Sequence, residues 1–203
     1  MKLFLRIALF VMLLPMPAWA QSRLPDPPLV ITATEIYTAN GTTFRRYRFD
    51  VTNKAAYPAA LFAAAPGLPP CGNNHNSSRT WLDFFEGPSA GAAIGRRIYG
   101  FCALGAPANL GEIWFALPYD QLPPASVMIV MTDRQTNTRY PSNPVSLSGE
   151  ALMARAEALP TANWREALGL ADLALLVRFP GTSPVDRAWL NRFRRFGIRG
   201  GLF

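Results

Sequence analysis

The sequence predicts a mainly β protein, in which a β-sandwich is followed by a helical carboxy-terminal region. Short runs rich in Val, Ile, Thr and aromatic residues recur along the chain, with Gly, Pro, Asn and Asp between them, a pattern typical of a sandwich. Near Ser148 the pattern changes to Ala- and Leu-rich segments with helical spacing. Half of the residues are hydrophobic and 16% are charged, which excludes a wholly disordered chain.

The first two predicted strands form a hairpin. Residues 29–38 are rich in Ile, Val, Thr and Tyr, and Asn40-Gly41 follows them, which is a strong hairpin signal. In residues 44–51, Tyr47, Phe49 and Val51 alternate with charged residues, so one side of this strand is expected to be buried. The other predicted strands cover residues 57–65, 79–85, 96–104, 112–117, 126–133, 138–140 and 145–147.

The end of the β region is similar to the last two strands of fibronectin type III and related immunoglobulin-like domains. The similarity lies in residues 127–133, Val-Met-Ile-Val-Met-Thr-Asp, followed by residues 142–145, Ser-Asn-Pro-Val. The resemblance implies an immunoglobulin/fibronectin III-like β-sandwich over residues 29–148 that is used for binding or display. It implies no catalytic residues, because folds of this kind host many unrelated functions.

Residues 1–20 have the order of a secretory signal peptide. Two basic residues precede an apolar run, two prolines follow it, and residues 18–20, Ala-Trp-Ala, provide a small-residue cleavage site. The run is shorter than the roughly 20 residues that a membrane span needs, which disfavours an uncleaved anchor. We expect cleavage before Gln21, a proline-rich linker over residues 21–28, and a mature protein that is periplasmic or secreted.

The only two cysteines, Cys71 and Cys102, are predicted to form a disulfide. In an oxidising compartment an even cysteine count favours a disulfide, and the two residues lack the CxxC spacing of a metal or redox pair. With two cysteines only one pairing exists. The bond is expected to close the loop from residue 71 to residue 102 and so to hold the sandwich together.

A polar loop follows Cys71 and is the main candidate for a binding site. It carries the only histidine among asparagines and serines, and it leads into an arginine and a tryptophan. Amides and a guanidinium donate hydrogen bonds, and an aromatic ring offers a flat face for stacking. The predicted binding residues are Asn73, Asn74, His75, Asn76, Arg79 and Trp81. The alternative is a purely architectural loop whose Asn and Ser side chains bond their own backbone.

Catalytic and metal-binding functions are less well supported by the same loop. His75 lacks neighbouring catalytic partners, and a disulfide leaves neither cysteine free as a nucleophile. Calcium needs roughly six to eight oxygen ligands, and the loop contains no carboxylate. The sequence therefore predicts no metal and no cofactor. A hydrolase with paired carboxylates stays open, and its pair would come from Asp83, Glu86, Glu112, Asp120 and Asp133.

The helical region, residues 149–203, is predicted to end in a basic amphipathic helix. Ser148 opens a first helix that Pro160 ends, and Asn163 caps a second one through about residue 177. The last helix is expected to begin at Ser183-Pro184. Its apolar stripe either docks on the rest of the protein or makes a peripheral contact with a membrane or partner. The predicted interaction residues are Arg187, Trp189, Arg192, Phe193, Arg194 and Arg195.

The formal net charge of +7 favours anionic partners. It falls to about +5 once Lys2 and Arg6 leave with the leader, and much of the arginine is what a GC-rich bacterial genome would supply. Export predicts no nucleic-acid partner and leaves an envelope protein, a glycan or an anionic surface. We expect an exported, non-catalytic binding or interaction module at the bacterial cell envelope. The alternatives are an envelope hydrolase and a structural or assembly component that uses its basic helix.

Overall fold

The computed structural model of the protein describes residues 28–65, 67–71, 78–87, 95–102, 107–181 and 184–199. The predicted signal peptide lies outside these ranges, as does the predicted linker except for Pro28. Both therefore stay predictions.

Two antiparallel sheets form the β part of the protein. The first sheet has the strand order β1-β2-β5, and the second has the order β4-β3-β6-β7, with β8 also paired to β6. The strands are β1 Leu29–Ala39, β2 Thr42–Val51, β3 Thr80–Glu86, β4 Arg97–Cys102, β5 Ile113–Pro118, β6 Ser126–Asp133, β7 Thr138–Pro141 and β8 Val145–Ser146. The prediction of a mainly β fold is confirmed at this level.

The predicted hairpin between the first two strands is confirmed. Asn40 and Gly41 have φ angles of 50° and 75°, as a two-residue turn that matches the twist of its strands requires. The side chains of Tyr47, Phe49 and Val51 are fully buried on the inner face of β2. The alternation in the sequence therefore identified the correct face of this strand.

The predicted strand over residues 57–65 is wrong. This stretch forms a short 3-10 turn at Ala59–Phe62, and only Ala64 makes a β-bridge, to Ser78. Leu61 N donates to Pro58 O at 3.0 Å, which closes the turn and buries the Leu61 side chain. A short apolar run does not distinguish a strand from another buried segment, and here the apolar side chains lacked a period of two.

The inner faces of the two sheets meet in an aromatic cluster. Phe84 of β3 lies with its ring centroid 5.4 Å from that of Phe49 and 5.2 Å from that of Phe115. Phe49 and Phe115 belong to β2 and β5, so the cluster joins the second sheet to the first. Aromatic contacts at this spacing add to the free energy of burying the rings.

Three helices follow the strands: α1 Gly149–Ala158, α2 Trp164–Arg178 and α3 Arg187–Arg199. The predicted start of α1 at Ser148 is confirmed, and the Ser148 side chain caps the helix by accepting a hydrogen bond from Ala151 N at 3.3 Å. Asn163 precedes α2 but makes no capping bond through its side chain. The start predicted for α3 was early: Asp186 Oδ1 accepts from Trp189 N at 2.9 Å and so caps a helix that begins at Arg187.

The helices share one hydrophobic core with the sheets. Helix α2 lies directly against β1, where Thr34 Oγ1 donates to Gly169 O at 2.8 Å. A Cβ atom at position 169 would lie only 2.8 Å from Thr34 O, so this close approach requires glycine. Within the described part of the chain, no helix has the length and apolar character needed to cross a membrane.

Candidate functional site

Most of the predicted polar binding loop lies outside the described residues. This applies to Asn73, Asn74, His75 and Asn76, whose binding role stays a prediction. The loop follows Cys71, and the predicted disulfide is confirmed: Cys71 and Cys102 are bonded, with their Cα atoms 5.6 Å apart. The disulfide therefore fastens the start of the loop to the end of β4.

Arg79, at the other end of the loop, holds the chain to β6. Its Nε and Nη2 atoms donate to Oδ1 and Oδ2 of Asp133 at 3.1 and 2.7 Å. The carboxylate of Asp133 is buried and also accepts a hydrogen bond from Gln135 N at 2.9 Å. The Arg79 guanidinium is therefore engaged within the protein, and any ligand contact through it would have to share this bidentate pair.

The ion pair between Arg79 and Asp133 predicts that the stability of the protein depends on pH. The hydrogen bond from Arg79 holds the pKa of the Asp133 carboxyl below its usual range. Because the pKa of Asp133 is lower in the folded state, the pair contributes its full stabilisation above the unfolded pKa of about 4. This contribution is lost as pH falls through the lower pKa of the folded state. We expect urea unfolding midpoints to drop more steeply between pH 5 and pH 2 in the native protein than in Asp133→Asn. Parallel curves for the two proteins would contradict the prediction.

Trp81 lies on the outer face of the second sheet, where two donors share one carboxylate oxygen. Trp81 Nε1 and Arg97 Nε each donate to Asp83 Oδ1 at 2.6 Å. The Arg97 guanidinium also lies 5.7 Å from the Trp81 ring centroid. Trp81 and Asp83 line a surface pocket of about 610 Å³ together with Thr132, Arg134, Asn137 and Arg139. Of the predicted binding residues, Trp81 thus lines this pocket.

A second pocket lies between the open edges of the two sheets. Among the described strands, β4 and β5 each pair with one neighbour, and each lies at one edge of its sheet. Between them is a pocket of about 260 Å³, which we call the edge pocket, lined by Tyr99, Phe101, Asn109, Glu112, Ile113 and Trp114. Tyr99 is 47% exposed and Trp114 is 38% exposed, although both are large aromatic residues.

The two exposed rings of the edge pocket are nearly parallel. The centroids of Tyr99 and Trp114 lie 6.5 Å apart, and the angle between the ring planes is 15°. Arg46 supports Trp114, with its guanidinium 4.5 Å from the Trp114 centroid and 4.8 Å from that of Tyr37. Arg46 also pairs with Glu35 at 3.4 Å. These contacts fix the orientation of Trp114 before any ligand binds.

Little in the sequence indicates the edge pocket. Of its residues, only Glu112 was singled out, as one of several carboxylates. Trp114 stands between Ile113 and Phe115, which are both buried, so strand alternation alone placed its ring on the solvent side. No local pattern indicated that Tyr99, from an edge strand of the other sheet, would lie beside it.

Helix α3 is docked on the rest of the protein. Trp189 and Phe196 are buried, and Trp189 meets Phe179 edge to face with ring centroids 5.7 Å apart. Arg192 donates to Glu157 and Glu150 of α1 at 2.8 to 3.2 Å, and the bond to Glu157 raises its pKa further above the usual range. Phe193 also packs against the core. Of the predicted interaction residues, those that remain exposed are Arg187, Arg194 and Arg195.

The carboxylates that a hydrolase would need are dispersed. Asp83, Glu86 and Asp133 each pair with a nearby arginine: Arg97, Arg96 and Arg79, respectively. Glu112 lines the edge pocket, and Asp120 is in an exposed turn. Within the described ranges, no group of three or more His, Cys, Asp or Glu residues is placed to hold a metal ion.

Comparisons of the chain with protein-family models, with curated protein sequences and with solved structures find no match. Function is therefore inferred from the chemistry and geometry of the chain itself.

Proposed function

We propose that the protein is an exported, non-catalytic binding module of the bacterial cell envelope, and that its two facing sheets are an immunoglobulin/fibronectin III-like β-sandwich. The observation that carries the proposal is the edge pocket, with its two exposed and nearly parallel aromatic rings. The signal-peptide pattern and the disulfide support export, because disulfides persist in oxidising compartments.

The ligand of the edge pocket is a saccharide chain. A sugar ring has an apolar face of C–H groups and a rim of hydroxyls, so it needs a flat apolar surface beside polar groups. Tyr99 and Trp114 supply the flat surfaces. Asn109 supplies an amide that both donates and accepts hydrogen bonds, and Glu112 supplies acceptor oxygens for hydroxyl donors.

The size and position of the pocket fit one unit of a long chain. Its volume of about 260 Å³ is below the range of roughly 300 to 1,000 Å³ that is typical of sites enclosing a whole small molecule. The pocket also lies along two strand edges and is open to solvent, with both rings partly exposed. A polymer can therefore place one ring on the aromatic residues while its neighbours extend beyond the pocket.

The double variant Tyr99→Ala/Trp114→Ala tests this proposal. We expect the native protein to co-sediment with purified peptidoglycan sacculi and the variant to bind about tenfold or more weakly, since each ring contributes about 1 kcal/mol. Binding is measured by depletion of protein from the supernatant over a range of sacculus concentrations. The matched control is Tyr119→Ala, because Tyr119 is 44% exposed but does not line the edge pocket.

Two results would contradict the proposal. One is equal loss of binding in Tyr119→Ala, which would show a general effect of removing a surface aromatic residue. The other is failure of the folded native protein to bind sacculi and other insoluble envelope polysaccharides. Thermal unfolding midpoints of all variants establish that each is folded at the assay temperature.

The hydrolase alternative is tested in the same samples. Glu112 is the carboxylate among the residues that line the edge pocket, so it is the group that would act on a bound sugar. We expect no release of new reducing ends from sacculi during incubation with the native protein. Release that is lost in Glu112→Gln would replace the binding proposal with a catalytic one.

A further inference from the structure

Helix α3 has a second face that the docked arrangement leaves in solvent. At about 100° per residue, Arg187, Arg194 and Arg195 fall on one side of the helix, together with Leu190 and Asn191. All five residues are exposed, and we call this side the basic face. The opposite side carries the buried Trp189 and Phe196. Helical spacing in the sequence already places Arg187, Asn191, Arg194 and Arg195 opposite the apolar stripe, and docking of that stripe leaves this side in solvent.

The arginines of the basic face are not used to hold the helix in place. Among the described residues, no ion pair joins Arg187, Arg194 or Arg195 to a carboxylate. Arg192, on the inward side, forms ion pairs with Glu150 and Glu157 of α1. Within the described ranges, the basic face is therefore a concentration of positive charge that no carboxylate pairs.

We propose that the basic face binds the anionic phospholipid surface of an envelope membrane. Guanidinium groups form bidentate hydrogen bonds with phosphate, and the excess positive charge complements a layer of anionic headgroups. The three groups spread over residues 187–195, a length of about 12 Å along the helix, and do not converge on one point. Such a spread matches a continuous array of phosphates better than it matches a single acidic side chain.

The contact is peripheral, because the apolar side of the helix is occupied. Trp189 and Phe196 pack inside the protein, so they do not insert into lipid while α3 stays docked. Among the side chains of the basic face that the structure describes, the large apolar one is Leu190, which is 36% exposed. Each arginine near an anionic surface contributes about a fivefold gain in binding, so three contribute about 100-fold. Salt is expected to weaken the contact strongly.

The test compares two triple variants that lose the same charge. Arg187→Gln/Arg194→Gln/Arg195→Gln removes the basic face, and Arg96→Gln/Arg139→Gln/Arg165→Gln removes three exposed arginines elsewhere. The purified protein is sedimented with vesicles of phosphatidylglycerol and phosphatidylcholine in a 3:7 ratio, at 50 mM and 300 mM salt. We expect binding by the native protein at low salt, a loss of about 30-fold or more in the first variant and less than threefold in the second.

Three outcomes would overturn the proposal. Equal losses in the two variants would show that net charge alone drives the binding. No binding of the native protein to the anionic vesicles would remove the lipid partner. Binding of the native protein to soluble polyglutamate but not to vesicles would identify an acidic protein as the partner. Equal thermal midpoints for the native protein and the first variant show that α3 stays docked.

Discussion

Removing the disulfide by Cys71→Ser/Cys102→Ser is expected to lower the free energy of unfolding by about 3 to 4 kcal/mol. The two cysteines are 31 residues apart, so the bond restricts a long loop in the unfolded chain. It also fastens the end of β4, an edge strand whose one partner among the described strands is β3. A loss of this size is a large share of the roughly 5 to 15 kcal/mol that stabilises a typical domain.

Urea unfolding followed by tryptophan fluorescence measures this effect. Native protein treated with reductant serves as a second route to the same state, because it keeps both cysteine side chains. The two routes should give the same loss of stability. An unchanged midpoint in reductant, with two free thiols shown by alkylation and mass measurement, would contradict the prediction. Phe101, which lines the edge pocket, directly precedes Cys102, so reduction releases the part of β4 that carries it. Saccharide binding by the reduced protein should therefore also be weaker.

Replacing Phe84 by alanine is expected to destabilise the protein by about 3 to 5 kcal/mol. The Phe84 side chain is fully buried between Phe49 and Phe115, so its removal leaves a cavity where the two sheets meet. Neighbouring rings cannot collapse into the cavity without moving one sheet relative to the other. The expected cost therefore lies at the high end for large-to-small substitutions in a core.

Two further variants place the Phe84 effect in context. Phe84→Leu keeps most of the buried volume and is expected to cost clearly less than the alanine variant. Ile36→Ala removes an apolar side chain that is 55% exposed on β1 and should change the stability by about 0.5 kcal/mol or less. Unfolding curves in urea for the three variants give the comparison. A similar loss for Phe84→Ala and Ile36→Ala would show that the two sheets do not depend on this cluster.

Local patterns predicted most of the strands because each pattern reflects the surroundings of its own strand. The alternation around Tyr47 to Val51 follows from one buried and one exposed face, and Asn40-Gly41 allows the positive φ angles of the turn. Residues 57–65 were assigned wrongly because their apolar side chains meet the core through a 3-10 turn. The start of α3 was placed early because two capping signals, Ser183 and Asp186, lie close together in the sequence.

The candidate sites were harder to predict because their residues come from distant parts of the chain. Arg79 was expected to face a ligand, yet its guanidinium pairs with Asp133, 54 residues away. In the edge pocket, Tyr99 and Trp114 come from different sheets. Arg45 is a further example. It lies on the same buried face of β2 as Tyr47, and its Nη1 atom donates to Asp172 Oδ2 of α2 at 3.0 Å. Composition and periodicity contain no information about such partners.

The sequence by itself determined the strands with clear alternation, the order of β and helical regions, and the one disulfide that two cysteines allow. It did so because hydrophobic period, turn chemistry and capping act over a few residues. Only the tertiary structure decided that β4 and β5 would be edge strands whose aromatic residues meet, and that α3 would dock on the rest of the protein through its apolar stripe. The physical reason is that sheet order and helix docking depend on burial of the whole core, to which every element contributes.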